Sequence, residues 1–346
     1  MQIGVLTGGG DCGGLNAAIR AIVIRAAQTG NTVIGVHDGW AGMVEGRGAP
    51  LTVEQVAGIV GLGGTILGSS RTNPEKVPEG FEKVAQSFKT LGLDALIAIG
   101  GDDTLGVGAK LVARGLPVVG LPKTMDNDLN GTDACIGFYT AVERVTTALD
   151  NLRTTADSHH RIIVLEVMGR NAGWVATMGG LAGGADAILV PEQVVKLSDV
   201  ADRLKKRREA GYSSSLVVVA EGADLEGMPA EGEVASQVDA FGHAQLVARG
   251  LGERVADELG KLTGIESRAM VLGHLQRGGP PTAFDRILGA RTGAMAVDLV
   301  VAGNYGKVPV LRGTKIVPID FSEAVAVNST VDLDLYHVAD SLVPLS

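Results

Sequence analysis

Four carboxylates and one lysine stand in two short stretches of the chain: Asp102 and Asp103 in IAIGGDDTLG, and Lys123, Asp126 and Asp128 in GLPKTMDNDLNG. Each stretch follows or contains an apolar run and breaks at glycine or proline, so each reads as a turn that leaves a strand and faces a crevice. Asn127 and Gly131 suit any such turn, because both tolerate unusual backbone angles. A lysine flanked by acids has no such explanation. Carboxylates converging on one sheet edge repel one another and raise their own pKa values unless positive charge neutralises them. The grouping therefore suits a divalent cation held by carboxylate oxygen.

The first glycine turn, Gly8-Gly9-Gly10-Asp11-Cys12-Gly13, matches GxGxxG. A glycine turn between strand and helix leaves free N–H groups at the helix N-terminus, where anions are favoured. Taken alone, the match fits a dinucleotide site, with Asp38 as the ribose ligand of an NAD-dependent dehydrogenase, and fits a ligand-free tight turn equally well.

These turns need elements to hold them. QIGVLT reads as a strand, followed by a helix with Leu15, Ile19, Ile22, Val23 and Ala26 on one face and Gly30 past its end. TVIGVHDG reads as a second strand. Phe81, Val84, Ala85 and Phe88 at helical spacing lead into LDALIAIGG, a continuous apolar run of the kind buried on both faces of a parallel sheet. A helix after Thr104 and the run LPVVGLP extend the alternation. In the second half RIIVLEVMG, AILVP, SSLVVVAEG and RAMVLGHLQRGG read as strands, with SDVADRLKKRREAG as a helix between two of them. Alternating strand and helix predict an α/β protein with doubly wound, mainly parallel sheets. The charge run Lys205 to Glu209 reads as a solvated helix face, and the acidic, glycine-rich stretch from Ala223 to Gly242 as a mobile surface loop.

The chain has 346 residues, enough for two layered domains. Apolar residues make up 45%, aromatic residues only 3%, and glycine supplies 50 positions, which favours α/β turns over an aromatic-rich β-sandwich. The net charge of −9 argues against nucleic acid as a partner, since that binding rests on a basic surface. No apolar stretch reaches membrane-spanning length. The two cysteines, Cys12 and Cys135, lack metal-site spacing, and no signal peptide precedes the first strand. A soluble cytoplasmic protein is expected.

Six motifs in order, TGGGD, GGDDT, PKTMDND, EVMGR, AEG and GHLQRGG, resemble those of the 6-phosphofructokinase family over almost the whole chain. The resemblance implies two Rossmann-like domains with the active site in the cleft between them: a phosphoryl-donor domain of residues 1–137 plus about 276–322, and a fructose 6-phosphate domain of residues 138–275 plus about 323–346. It implies phosphoryl transfer to the 1-hydroxyl of fructose 6-phosphate with Mg2+. Asp126 matches the catalytic base, Asp102 the metal ligand and Asp128 a supporting acid. Gly10 and Arg71 match donor contacts. Thr124, Asp126, Arg161, Met168, Gly169, Arg170, Glu221, Arg268, His274 and Arg277 match sugar-phosphate positions, with Arg170 also counted in catalysis. By the same resemblance Arg161 and Arg268 reach in from a neighbouring subunit of a homodimer or homotetramer. His159 and His160 are expected to be structural. Arg20 and Arg153 match effector-binding cations of bacterial relatives, but Ile24 stands where another is expected, so little response to ADP or phosphoenolpyruvate is anticipated.

Family members that use ATP carry glycine in place of Asp103 and in place of Lys123; the acid and lysine together mark members that use inorganic diphosphate. A carboxylate at position 103 would meet the α-phosphate of a nucleotide. Two unit charges ~4 Å apart at an effective dielectric near ~20 repel by ~4 kcal/mol, nearly a thousandfold in affinity. Lys123 would meet charge on the shorter donor and on the leaving phosphate. The expected activity is thus reversible phosphoryl transfer from diphosphate to fructose 6-phosphate, with an ATP-dependent phosphofructokinase as the nearest alternative.

Overall fold

In the computed structural model, residues 1–226, 241 and 250–344 are described. The first elements are β1 (Gln2–Thr7), α1 (Leu15–Gln28), β2 (Thr32–Val36), α2 (Trp40–Glu45), β3 (Gly48–Pro50), α3 (Val53–Val56), α4 (Gly80–Thr90), β4 (Ala95–Gly100), α5 (Asp102–Val112) and β5 (Val118–Pro122). Their sheet has the order β3-β2-β1-β4-β5, parallel except for β3 at the edge. Both faces of β4 are buried, with Ile97 and Ile99 packed on the α1 side and Leu96 and Ala98 on the side of α4 and α5. The side-chain period of two sends alternate residues to opposite layers, so a strand covered by helices on both faces must be apolar throughout. The chain runs outward from β1 to β2, then returns to β4 on the other side. The strand order therefore reverses between β1 and β4, and the turns after these two strands open the crevice where ligands sit in such sheets.

The second set comprises α6 (Phe138–His159), β6 (Ile162–Val167), α7 (Trp174–Ala182), β7 (Ala187–Leu189), β8 (Val195–Lys196), α8 (Leu197–Glu209), β9 (Ser215–Ala220), β10 (Leu225–Glu226), α9 (Leu251–Thr263) and β11 (Ser267–Val271). A four-stranded parallel sheet, β11-β6-β9-β7, lies between a layer of α6 and α7 and a layer of α8 and α9, while β8 and β10 form a short separate ladder. The last elements return to both sheets. Helix α10 (Ala283–Val301) packs along α1, the hairpin β12 (Lys307–Arg312) and β13 (Lys315–Asp320) lies beside β5, α11 (Phe321–Ala324) meets α5, and α12 (Leu333–Ser341) joins the α7 layer. The approach of α10 to α1 needs glycine at Gly293, where a Cβ would lie 2.7 Å from the Ala18 carbonyl oxygen.

One buried acid fixes the crossing between the sheets. Asp285, fully buried at the start of α10, accepts hydrogen bonds from the backbone N–H of Gly137 (2.9 Å) and of Thr140 (2.7 Å) and from the Thr140 hydroxyl (2.6 Å). A carboxylate suits the N-terminus of α6, whose free N–H groups carry partial positive charge.

Two sequence expectations need comment. The charge run on α8 is not solvated throughout: Arg207 is 3% exposed, pairs with Asp186 at 2.8 Å and lies over the Tyr212 ring. Val200, Leu204 and Arg207 follow the i, i+4, i+7 spacing of the buried stripe, which turns that one cation inward. Of the stretch from Ala223 to Gly242, residues 227–240 and 242 lie outside the described residues.

Candidate active site

The crevice between β1 and β4 is built on backbone contacts to a buried lysine. Lys123, just past β5, is 3% exposed, and its Nζ donates to the carbonyl oxygens of Gly8 (2.9 Å) and Gly10 (2.6 Å). Burial pushes its pKa down, with the Cys12 and Arg277 side chains as the next influences in opposite directions. Two of the three ammonium protons thus hold the glycine turn in shape. Sequence reasoning assigned Lys123 to the donor; its grip on the turn is an additional finding.

Asp102 and Asp103 form the first turn of α5, where the helix dipole favours negative charge. The backbone N–H of Asp103 donates to Asp102 Oδ1 at 2.9 Å. The loop after β5 then reverses at Asn127, which has a φ of 54° and is buried with its Oδ1 accepting from the Cys135 N–H at 2.8 Å. Its neighbours are the two acids. Asp126 is half-buried, but its Oδ1 is shut off from solvent and has no hydrogen-bond partner among the described residues. Burial pushes the Asp126 carboxyl up; Arg277 and Arg170 pull it down, while Glu221 and Asp102 add to the rise. Asp128 is pushed up to about 6 by burial, by Asp126 and by Asp102, against a hydrogen bond from Thr124. Asp126 and Asp102 thus oppose the ionisation of Asp128, as the sequence grouping predicts.

The influence of Glu221, Arg170 and Arg277 on Asp126 places the second sheet's C-terminal loops opposite the first sheet's. The loop after β6 carries Met168, Gly169 and Arg170. Gly169 has a φ of 138°, and its carbonyl accepts from Gly222 N–H at 3.1 Å, just past Glu221 at the end of β9. Burial pushes the Glu221 carboxyl up, against a backbone hydrogen bond from Gly169. The turn after β11 carries His274, which is exposed, and Arg277. Arg277 reaches across to the first glycine turn: its NH1 donates to the Asp11 carbonyl at 3.0 Å, and its guanidinium fills the space a Cβ on Gly10 would take. A side chain at Gly10 would displace that guanidinium from its place between the two turns. Sequence reasoning missed Gln276, 1% exposed, whose Oε1 accepts from the Met168 N–H at 3.2 Å and so joins the turn of His274 and Arg277 to the loop of Arg170.

Arg71 lies on the wall of an open cleft of about 620 Å3 that has Gly9, Gly10 and Asp11 on one side and residues 63–65 and 69–71 on the other. Arg161 and Arg268 are elsewhere. Arg161 precedes β6 and Arg268 lies early in β11, opposite Ile163, so both sit at the N-terminal end of the sheet whose other end carries Met168. At ~3.3 Å per residue the strand separates Arg268 from that loop by roughly 16 Å and Arg161 by roughly 23 Å. Both hold the carboxylate of Glu266, at 2.9 and 2.7 Å. This chain alone does not bring them to the crevice.

Three other side chains have local partners. Asp38 pairs with Arg47 at 2.7 Å. Arg153 pairs with Asp186 at 3.0 Å, and Arg20 donates to the Ala57 carbonyl at 3.4 Å. His159 and His160 end α6 on the surface, His160 in the left-handed region at the helix C-cap.

Mg2+ needs one or two protein carboxylates and otherwise keeps water or phosphate oxygens, so a full protein cage is not required. Among the described residues no group of three or more His, Cys, Asp or Glu side chains is set to enclose a metal. The grouping of Asp102, Asp126 and Asp128 and the unpartnered Asp126 oxygen fit a cation bound in that partial way.

Comparison with known proteins agrees with this geometry. The sequence profile described as Phosphofructokinase matches residues 2–300. The pyrophosphate–fructose 6-phosphate 1-phosphotransferase of Dictyoglomus thermophilum is 51% identical over 337 residues, 97% of this chain and 97% of its own. The ATP-dependent 6-phosphofructokinase 2 of Streptomyces coelicolor is 45% identical over 346 residues, 99% of this chain and 100% of its own. The solved phosphofructokinase of Saccharomyces cerevisiae superposes with a TM-score of 0.80 at 32% identity, over 94% of this chain and 45% of the longer yeast chain.

Proposed function

The chain belongs to the phosphofructokinase family, and from that premise we propose that it transfers a phosphoryl group from inorganic diphosphate to the 1-hydroxyl of fructose 6-phosphate, reversibly, giving fructose 1,6-bisphosphate and phosphate. The observation that carries the choice of donor is the pair Asp103 and Lys123: a carboxylate on the first turn of α5 and a buried ammonium clasping the glycine turn beside it. A nucleotide donor would have to bring a third phosphate, its α-phosphate, against Asp103; diphosphate, with two, has no α-phosphate to bring. The diphosphate-using relative at 51% identity supports this donor, and the ATP-using one at 45% marks the alternative within the family. The dehydrogenase alternative finds no support in the family match, which covers residues 2–300.

Phosphoryl transfer asks the protein mainly for alignment and for positive charge around the moving group. Asp126 is the base: its buried oxygen is a free acceptor, and the upward push on its pKa strengthens it toward the proton of the attacking hydroxyl. Arg170 and Arg277 limit that push, and they face the sugar phosphate and the transferring group. Thr124, Met168, Gly169, Glu221 and His274 surround the sugar. Gly10 and Arg71 border the donor. Mg2+, held by Asp102 with Asp128 near, would supply charge neutralisation on diphosphate. Residues 1–137 with about 276–322 form the donor side, and 138–275 with about 323–346 the sugar side.

Arg161 and Arg268 complete the sugar-phosphate pocket of a neighbouring copy in a homodimer or homotetramer. The support is the place of Arg268 on the edge strand β11 and of Arg161 beside it through Glu266, on an edge where Met270 and Val271 are 48% and 51% exposed and Leu275, just beyond, 70%. No helix among the described residues is long and apolar enough to cross a membrane. The proposal is tested by assaying fructose 1,6-bisphosphate formation with each donor: turnover with ATP and none with diphosphate would refute it.

A further inference from the structure

Asn16 is polar, 1% exposed and set on the otherwise apolar inner stripe of α1. All of its hydrogen-bonding groups point at one loop. Its Nδ2 donates to the carbonyl oxygens of Leu62 (3.2 Å) and Gly63 (3.1 Å), and its Oδ1 accepts from the Ile66 N–H at 2.9 Å. A buried amide so fully used holds its partners firmly, since a lost partner would leave buried polar groups unpaired. The loop it grips is the wall of the open cleft opposite the first glycine turn.

Further bonds stitch the same wall to β1 and its turn. The Thr7 and Thr65 hydroxyls meet at 2.9 Å, Thr7 Oγ1 donates to the Gly68 carbonyl at 2.7 Å, the Gly9 N–H donates to the Ser70 carbonyl at 3.1 Å, and the Ser69 hydroxyl donates to the Gly9 carbonyl. Residues 63–71 therefore have one position relative to Gly9 and Gly10, and Asn16 fixes the first half of the loop, bonding it on both sides of Thr65.

We infer that Asn16 is a positioning residue for the phosphoryl donor, setting the width of the cleft between Gly10 and Arg71 without touching the sugar side. This rests on the assignment of that cleft to diphosphate. Its signature is a split between substrates: loosening the loop weakens the donor and leaves fructose 6-phosphate alone, because the sugar-side residues hang from the other sheet or, like Thr124 and Asp126, from the loop after β5, and Asn16 bonds neither.

The test is initial-rate kinetics on purified wild type and Asn16→Asp with each substrate varied in turn, alongside thermal unfolding. Aspartate has nearly the same shape but turns an acceptor toward two carbonyls. The KM for diphosphate should rise about tenfold or more, the scale of one or two lost hydrogen bonds, with the KM for fructose 6-phosphate within about twofold. Thr65→Val, at a half-buried position, should move the same constant in the same direction by less, and it decides the matter if Asn16→Asp fails to fold. Equal rises in both KM values, or no rise in either, would overturn the inference. If wild type turns over ATP and not diphosphate, the donor assignment fails separately, and the same split is then read with ATP.

Discussion

Replacing Asp103 with glycine should open the enzyme to ATP. Asp103 is half-buried on the first turn of α5 with its own N–H committed to Asp102, so the change removes a charge and its bulk while leaving that bond's backbone donor in place. At ~4 Å and an effective dielectric of ~20 the repulsion of a nucleotide α-phosphate amounts to ~4 kcal/mol. Half-exposure screens that to roughly 2 kcal/mol, or about thirtyfold. Against this, the helix loses an acid from its first turn and gains a glycine, a cost of about 1 kcal/mol in stability. Lys123 keeps its hold on Gly8 and Gly10, so the turn survives. Coupled assays for fructose 1,6-bisphosphate should show kcat/KM for ATP rising about thirtyfold, while circular dichroism reports a folded protein with a slightly lower Tm. A folded variant whose ATP kcat/KM stays within threefold of wild type would refute the charge-exclusion reasoning.

Asp126→Ser should lower kcat by about 10^2- to 10^4-fold while sugar-phosphate binding measured by calorimetry largely survives; an unchanged rate would remove Asp126 from the role of base. Asp128 has a folded pKa raised from 3.8 to about 6, so its contribution to stability is complete below the lower value and is lost as pH rises through the upper one. Asp128→Asn should then have a higher Tm than wild type at pH 8 but not at pH 4, and Mg2+ with diphosphate should shrink the gap at pH 8; equal Tm values at pH 8 would contradict this. Asp126→Ser and Arg268→Ala should each be nearly inactive alone and regain activity when mixed and allowed to exchange subunits, because a mixed pair assembles one intact site. No recovery after verified exchange would place Arg268 outside a shared site.

Much of this architecture could be read before any coordinates. Runs such as ALIAIG and LVVVA are apolar at every position, and only a strand covered on both faces needs that. The acids of GGDDT and PKTMDND were legible because charge gathered at strand ends has no structural excuse. What escaped was long-range bonding between side chain and backbone. Lys123 reaches carbonyls 113 and 115 positions away, Gln276 an N–H 108 positions away, and Asp285 the start of a helix more than 140 away. No local period records such a partner. Arg207 misled for a related reason: it shares composition with an exposed charge run, and only the buried acid Asp186 on another element draws it inward. Asn16 could have been suspected as the polar residue in an apolar helical stripe, although nothing nearby in sequence names the loop it holds.

The choice of donor is tested most directly by measuring kcat/KM of the unmodified enzyme for diphosphate and for ATP at saturating fructose 6-phosphate and Mg2+. A preference for diphosphate of at least about thirtyfold is expected from the screened repulsion at Asp103. Equal values, or a preference for ATP, would contradict it.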